Sequence, residues 1–441
     1  MIRKITEYIS LFLLLSVACI AVFFIMSNAE WILGDNYSFI LSTAQGRAAP
    51  LLNGANIGGS RFFPLAGLDF NILILFPGGN TAFAHYLYVS ITFLAAYLFF
   101  FLFSNKSFSD SGTKALRENA FCLAAICCFM IVANGGFFTT MMNVIYSERQ
   151  IFMVFALMIL SFLYGRKSGN SLWFVLAAVS AIYSSYLKET VAPALLCFSL
   201  SSLLLFRKDM CKCEKMAHYA IIANFILFIT LWFCFGMAGM TGGETYHLDE
   251  KMTLLKLLKT VLWQWKIYLV ILSMSVFRIF SIAFFKNNPV YPYDTLLFTS
   301  AIFVCEYIVL GFNSDYYYFP ALVFGLPALA YFLVSARDYA STIISAKRRI
   351  FFAVFASLMA VFEQLLQNSR TGHAARPART VRLVLIDILV HGGSVRQVTL
   401  IRQTVTQVRH ALTDHLEFQS AHIRRVREIH EGIGLEMTRG K

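Results

Sequence analysis

The chain has 441 residues, 58% of them hydrophobic and only 14% charged, with a formal net charge of +13 and a mean hydropathy of +0.65. Soluble domains carry about a quarter of their residues as charges, so this composition excludes an ordinary water-exposed globule and points to a bilayer. In such a chain an excess of Lys and Arg marks cytoplasmic loops, and no nucleic-acid partner is assigned.

Crossing a hydrocarbon core takes about 20 helical residues. Apolar runs predict spans near 8–27, 82–104, 119–133, 148–165, 171–187, 190–206, 217–239, 262–285, 292–312 and 316–336. The expected fold is therefore an all-α polytopic membrane protein of about ten transmembrane helices. Arg3 and Lys4 precede the first run, which is too long for a signal-peptide core and lacks a small-residue cleavage site, so it reads as a retained helix. The segment after it, about 28–81, is the longest external loop and is expected to carry short amphipathic helices. Its 65–76 stretch is apolar but short, and reads as a re-entrant or interfacial piece. A second external loop, 240–261, holds His247, Asp249 and Glu250. With the N-terminus inside, sixteen Lys and Arg fall in internal segments and six in external ones, which sets the expected orientation.

None of the nine Cys falls in an expected external loop, so no disulfide is expected. Cys211 and Cys213 lack the companions a zinc site needs, and no metal or other cofactor is assigned. Residues 1–340 read as the membrane domain and 341–369 as a terminal apolar segment. Residues 370–441 are foreign in composition: eleven Arg, one Lys, six of the nine His and no Asn. A frameshift or readthrough would produce such a change.

Ionisable groups in or beside membrane helices are costly unless paired or wet, so each is a candidate for function. Here they gather at one end of the expected helices: Asp35 after the first, Glu148 and Arg149 heading the fourth, Lys188 and Glu189 between the fifth and sixth, and Asp315 with Tyr316 heading the last. Arg61 sits in the Gly-rich first loop. Arg278 and Glu306 lie deeper and are expected to pair with each other. Bland readings exist for each: Asp35 as a helix cap, the neighbouring charges as ordinary ion pairs, and the Tyr run as an interfacial belt. Jointly, the acids suit general-base work on a hydroxyl, and the bases suit phosphate.

The layout resembles the GT-C class of integral-membrane glycosyltransferases. The resemblance rests on Trp31–Asn36 opening the long loop, on Gly59-Ser60-Arg61-Phe62-Phe63-Pro64-Leu65, on Tyr146–Arg149 and on the segment around Lys188-Glu189-Thr190. Asp315–Pro320 is similar to a late family element but lacks its Arg. Within the class the chain is most similar to bacterial glucosyltransferases that decorate O-antigen. That resemblance implies inverting transfer of a sugar, glucose foremost, from a polyprenyl-phosphate donor to a surface glycan acceptor on the periplasmic face of the inner membrane. It assigns the base to Asp35, with Glu30 second. Arg61, Arg149 and Lys188 would hold the donor phosphate, and Glu148, Glu189 and Tyr316 the sugar. The foreign tail stands where the family carries further helices or a domain, which bears on acceptor recognition. An O-antigen polymerase or ligase, a lipid or solute transporter and a membrane scaffold are the alternatives.

Overall fold

The computed structural model describes residues 2–27, 64–76, 78–79, 81–142, 147–234, 266–284, 290–310 and 315–343. Asp35, Arg61, the 240–261 loop and everything after residue 343 lie outside the described residues. The chain divides into units 1–345 and 346–441, and all described residues belong to the first.

Every regular element among the described residues is a helix. In chain order they are α1 (Ile2–Ser27), α2 (Leu68–Ile74), α3 (Ala82–Ser109), α4 (Lys114–Glu118), α5 (Ala120–Val132), α6 (Gly135–Met142) and α7 (Glu148–Ser168). There follow α8 (Ser171–Ser185), α9 (Val191–Phe206), α10 (Lys212–Trp232), α11 (Lys266–Phe284), α12 (Pro292–Val309), α13 (Asp315–Tyr318) and α14 (Ala321–Ile343).

Local chemistry sets several boundaries. Thr81 caps α3 by accepting from Ala84 N at 3.2 Å. Gly169 ends α7 in the left-handed region at φ +69°, which only Gly adopts without strain, and Asn170 starts α8 by accepting from Leu172 N at 2.9 Å. Pro292 opens α12, where its missing N–H costs nothing. Cys211 caps α10 through Sγ, a plain structural use for one half of the Cys-x-Cys pair.

Five helices are long and apolar enough to cross a membrane: α1, α3, α7, α10 and α11. The α5–α6 pair, bent by 63°, would make a sixth, and α8, α9 and the first part of α14 are shorter apolar helices. The chain is thus an all-α, multi-pass membrane protein. α12 falls just short of the five, its apolar character diluted by Asp294, Thr295, Thr299, Ser300 and Glu306. The expected 119–133 span stops at Val132 and resumes after Asn134, whose side chain accepts from Gly136 N at 2.9 Å. The 65–76 piece contains α2, seven residues long, or about 10 Å, far short of a crossing.

The helices pack as a bundle in which α3 touches α1, α5 and α7, α7 lies along α8, and α9 joins α10 to α12. Rings fill the centre: Phe100 meets Phe152, Phe152 meets Phe319, and Phe155 meets both Phe303 and Phe324. Small hydroxyls are buried among them, including Ser104, Ser161, Ser199, Thr299 and Ser300. Large apolar groups such as Phe12, Phe23, Leu172, Leu204 and Phe277 face outward. That inside-out arrangement suits lipid, because hydrocarbon gives apolar side chains no reason to hide and gives hydroxyls every reason to.

Arg278 and Glu306 do not pair. Arg278 reaches instead to Asp294, donating from Nε at 2.6 Å and Nη2 at 2.7 Å. Asp294 also accepts from Tyr291 N at 2.9 Å at the start of α12, so one carboxylate both caps a helix and anchors the buried guanidinium, which Glu306, twelve residues further along, is too far away to do.

Close approach leaves no room at Gly325. A Cβ there would lie 2.5 Å from Ile271 Cδ1 and 2.7 Å from Ser300 Oγ. Gly325→Ala should therefore destabilise the bundle by about 1–3 kcal/mol, read as a lower melting midpoint of detergent-solubilised protein. Gly112→Ala, with open space around it, is the matched control and should leave that midpoint in place.

Candidate functional site

The first turn of α7 is where the expected charges meet. Ser147, Glu148, Arg149 and Gln150 are all buried. Backbone stitching fixes what surrounds them: Leu65 N donates to Tyr186 O at 3.0 Å, and Ser147 Oγ donates to Leu187 O at 3.1 Å. The segment before α2, the start of α7 and the α8–α9 turn are thereby held side by side.

Two ion pairs result, and neither joins sequence neighbours. Lys188 Nζ donates to Glu148 Oε1, whose side chain is 1% exposed. Arg149 Nη2 donates to Asp69 Oδ2 at 2.6 Å. Around Lys188 stand three tyrosine rings, with Nζ 4.3 Å from the Tyr317 centroid, 5.7 Å from Tyr307 and 5.9 Å from Tyr316. Tyr307 and Thr190 share a hydroxyl hydrogen bond of 2.6 Å. Arg149 lies over the Tyr88 ring at 5.8 Å, and Tyr183 OH donates to Gln150 Oε1 at 3.4 Å. Glu189, in the same turn as Lys188, is close enough for its charge to act on the Tyr307 hydroxyl.

The structure thus gathers Glu148, Lys188 and Tyr316 into one cluster, and sets Arg149 beside it on a separate partner. Sequence reasoning missed Asp69, Thr190 and Tyr307. Asp69 carried a usable signal, being a lone acid in an apolar stretch. Thr190 stood in the quoted Lys188-Glu189-Thr190 segment without a role of its own, and Tyr307 carried no signal.

Electrostatically the described part of the site holds two cations against three carboxylates. Each cation is engaged by a carboxylate. Carboxylates beside stacked phenols form a surface suited to the hydroxyls and apolar faces of a sugar. Among the described residues no group of three or more His, Cys, Asp or Glu is placed to hold a metal ion.

No protein-family model, curated protein or solved structure matches the chain.

Proposed function

We propose that the chain is a membrane glycosyltransferase that moves a sugar, glucose foremost, from a polyprenyl-phosphate carrier to a surface glycan. In this reading it sits in a bacterial inner membrane with the N-terminus in the cytoplasm and about ten crossings, and the α7 cluster lies at the periplasmic face. The observation that carries the proposal is the convergence of Glu148, Lys188, Glu189 and Tyr316 with Tyr307 and Tyr317 at one end of the bundle. Charged and phenolic side chains drawn from segments up to 169 residues apart in the sequence, Glu148 to Tyr317, would otherwise have no reason to choose one end.

Asp35 is the base that takes the proton from the acceptor hydroxyl as its oxygen attacks the anomeric carbon. The bond between the anomeric carbon and the carrier phosphate oxygen breaks, and the polyprenyl phosphate leaves with the electron pair. Arg61 supplies the greater part of the phosphate binding, with Arg149 and Lys188, which already hold Asp69 and Glu148, adding positive charge beside it. Glu148, Glu189 and Tyr316 line the sugar. Holding donor and acceptor together at the membrane surface supplies much of the acceleration.

Membranes containing the protein, given a labelled polyprenyl-phosphate hexose, should transfer label to glycan, and a sugar nucleotide should not replace that donor. No transfer from any polyprenyl-phosphate hexose would overturn the reading. Orientation has its own test. A membrane-impermeant maleimide should label a Phe76→Cys variant, at an exposed position before α3, in intact cells. Exposed native Cys211 and Cys213 should label only after permeabilisation. The reverse pattern would invert the topology.

A further inference from the structure

Among the described residues at the head of α7, each cation carries its own carboxylate, and Asp69 is the one acid to which the transfer gives no role. Its Oδ2 accepts from Arg149 Nη2 at 2.6 Å, and the two side chains are 7% and 1% exposed. A site made only to grip an anion would not set three carboxylates against two cations. We propose that Asp69 makes the donor site charge-selective: it cancels most of the field of Arg149, so that a phosphodiester monoanion is held and a phosphomonoester dianion is let go.

The inference rests on the polyprenyl-phosphate reading. In that reaction the donor is a diester with a single negative charge. The departing carrier keeps the electron pair of the broken bond and becomes a monoester, with about 1.5 to 2 negative charges near pH 7. Coulombic attraction grows in proportion to the charge of the ligand. An uncovered guanidinium would therefore hold the product more tightly than the donor and slow every turnover.

The charges of this pair act at a distance because water is kept from them. Buried His85 and half-buried Tyr183 stand close enough for both charges to act on them, and Arg149 lies over the Tyr88 ring at 5.8 Å. Buried charges are little screened by salt. The foot of α7 shows the contrast. There Arg166 gives Nε and Nη2 to one oxygen of Glu214, at 2.6 and 2.5 Å, but its side chain is 37% exposed and water blunts its field.

Asp69 is also held where it must be to do this. Leu65, four residues before it, is tied to Tyr186 O, two residues before Lys188. Past α2, a Cβ on Gly79 would run into Leu73 O, so the reversal into α3 is closed tight. The carboxylate is thus fixed within one small region with Arg149, Glu148 and Lys188. Yet Asp69 Oδ1 is buried with no hydrogen-bond partner among the described residues. A buried pair kept for stability alone gains by filling such positions.

The test is calorimetric binding of two analogues to the full-length protein in neutral detergent near pH 8. Farnesyl phosphate has the charge of the product, and its methyl diester has the charge of the donor. Asp69→Asn still offers Arg149 an oxygen. It should bind farnesyl phosphate about tenfold more tightly and the diester about threefold, because half the charge gives the square root of the effect. Arg149→Gln should loosen both, again more for the monoester, and serves if Asp69→Asn does not fold. Asp69→Asn/Arg149→Gln should return both constants to within about threefold of wild type, as a cancelling pair requires. Unchanged or equal shifts for the two analogues, weaker binding in Asp69→Asn, or tight binding that persists in the double variant would each overturn the assignment. If neither analogue binds the wild type, the polyprenyl-phosphate reading falls with it.

Discussion

Lys188→Met should cost the folded protein about 3–5 kcal/mol, the usual penalty for stripping the partner from a buried charge. Glu148 would be left 1% exposed with only hydroxyls and rings for company. The three tyrosines around Nζ would lose the cation they enclose, and water cannot readily take its place. A thermal series on detergent-solubilised protein, read by size-exclusion chromatography, measures the loss. The double variant Glu148→Gln/Lys188→Met removes both charges together and should recover most of it, since replacing a buried pair outright is often nearly neutral. Sugar transfer should stay absent in both. A double variant that is stable and also transfers sugar at the wild-type rate would reduce the pair to a structural role.

Asp35→Asn should lower transfer by about 10²–10⁴-fold, the share a general base usually contributes, while melting unchanged. Asn keeps the size and one oxygen of Asp but cannot take a proton. Initial rates at saturating donor would measure the effect, with Glu30→Gln as the comparison expected to stay within a few-fold of wild type. A wild-type rate in Asp35→Asn would remove that residue from the mechanism.

Helix positions were legible because the signals are local. Thr81, Gly169, Asn170 and Pro292 mark boundaries within a residue or two of where they fall, and runs of Leu, Phe and Ile fill the intervals. The gathering of charge at the head of α7 was legible for a related reason. Each charged pair sits at a helix end, and on the expected topology alternating crossings would bring every second end to the same side. Pairing was not legible. Glu148 finds its cation 40 residues away and Arg149 its anion 80 residues away, while the neighbours Glu148-Arg149 and Lys188-Glu189 pair across rather than within. Arg278 illustrates the same limit, since its partner Asp294 doubles as the cap of α12. The apolar run at 292–312 located α12, but which of its hydroxyls and acids face protein was not legible, because burial and not composition sets that.

α7 is riveted at both faces of the bundle, by Glu148 and Arg149 at its head and by Arg166 near its foot. A helix fastened that way cannot slide, tilt or turn without rupturing charge contacts at one rim or the other. Any rocking that parted α7 from α10 or from the α8–α9 turn, as a carrier with its seam there would need, would have to snap and remake these fastenings in every cycle. Such stiffness suits a fixed workbench better than a revolving door.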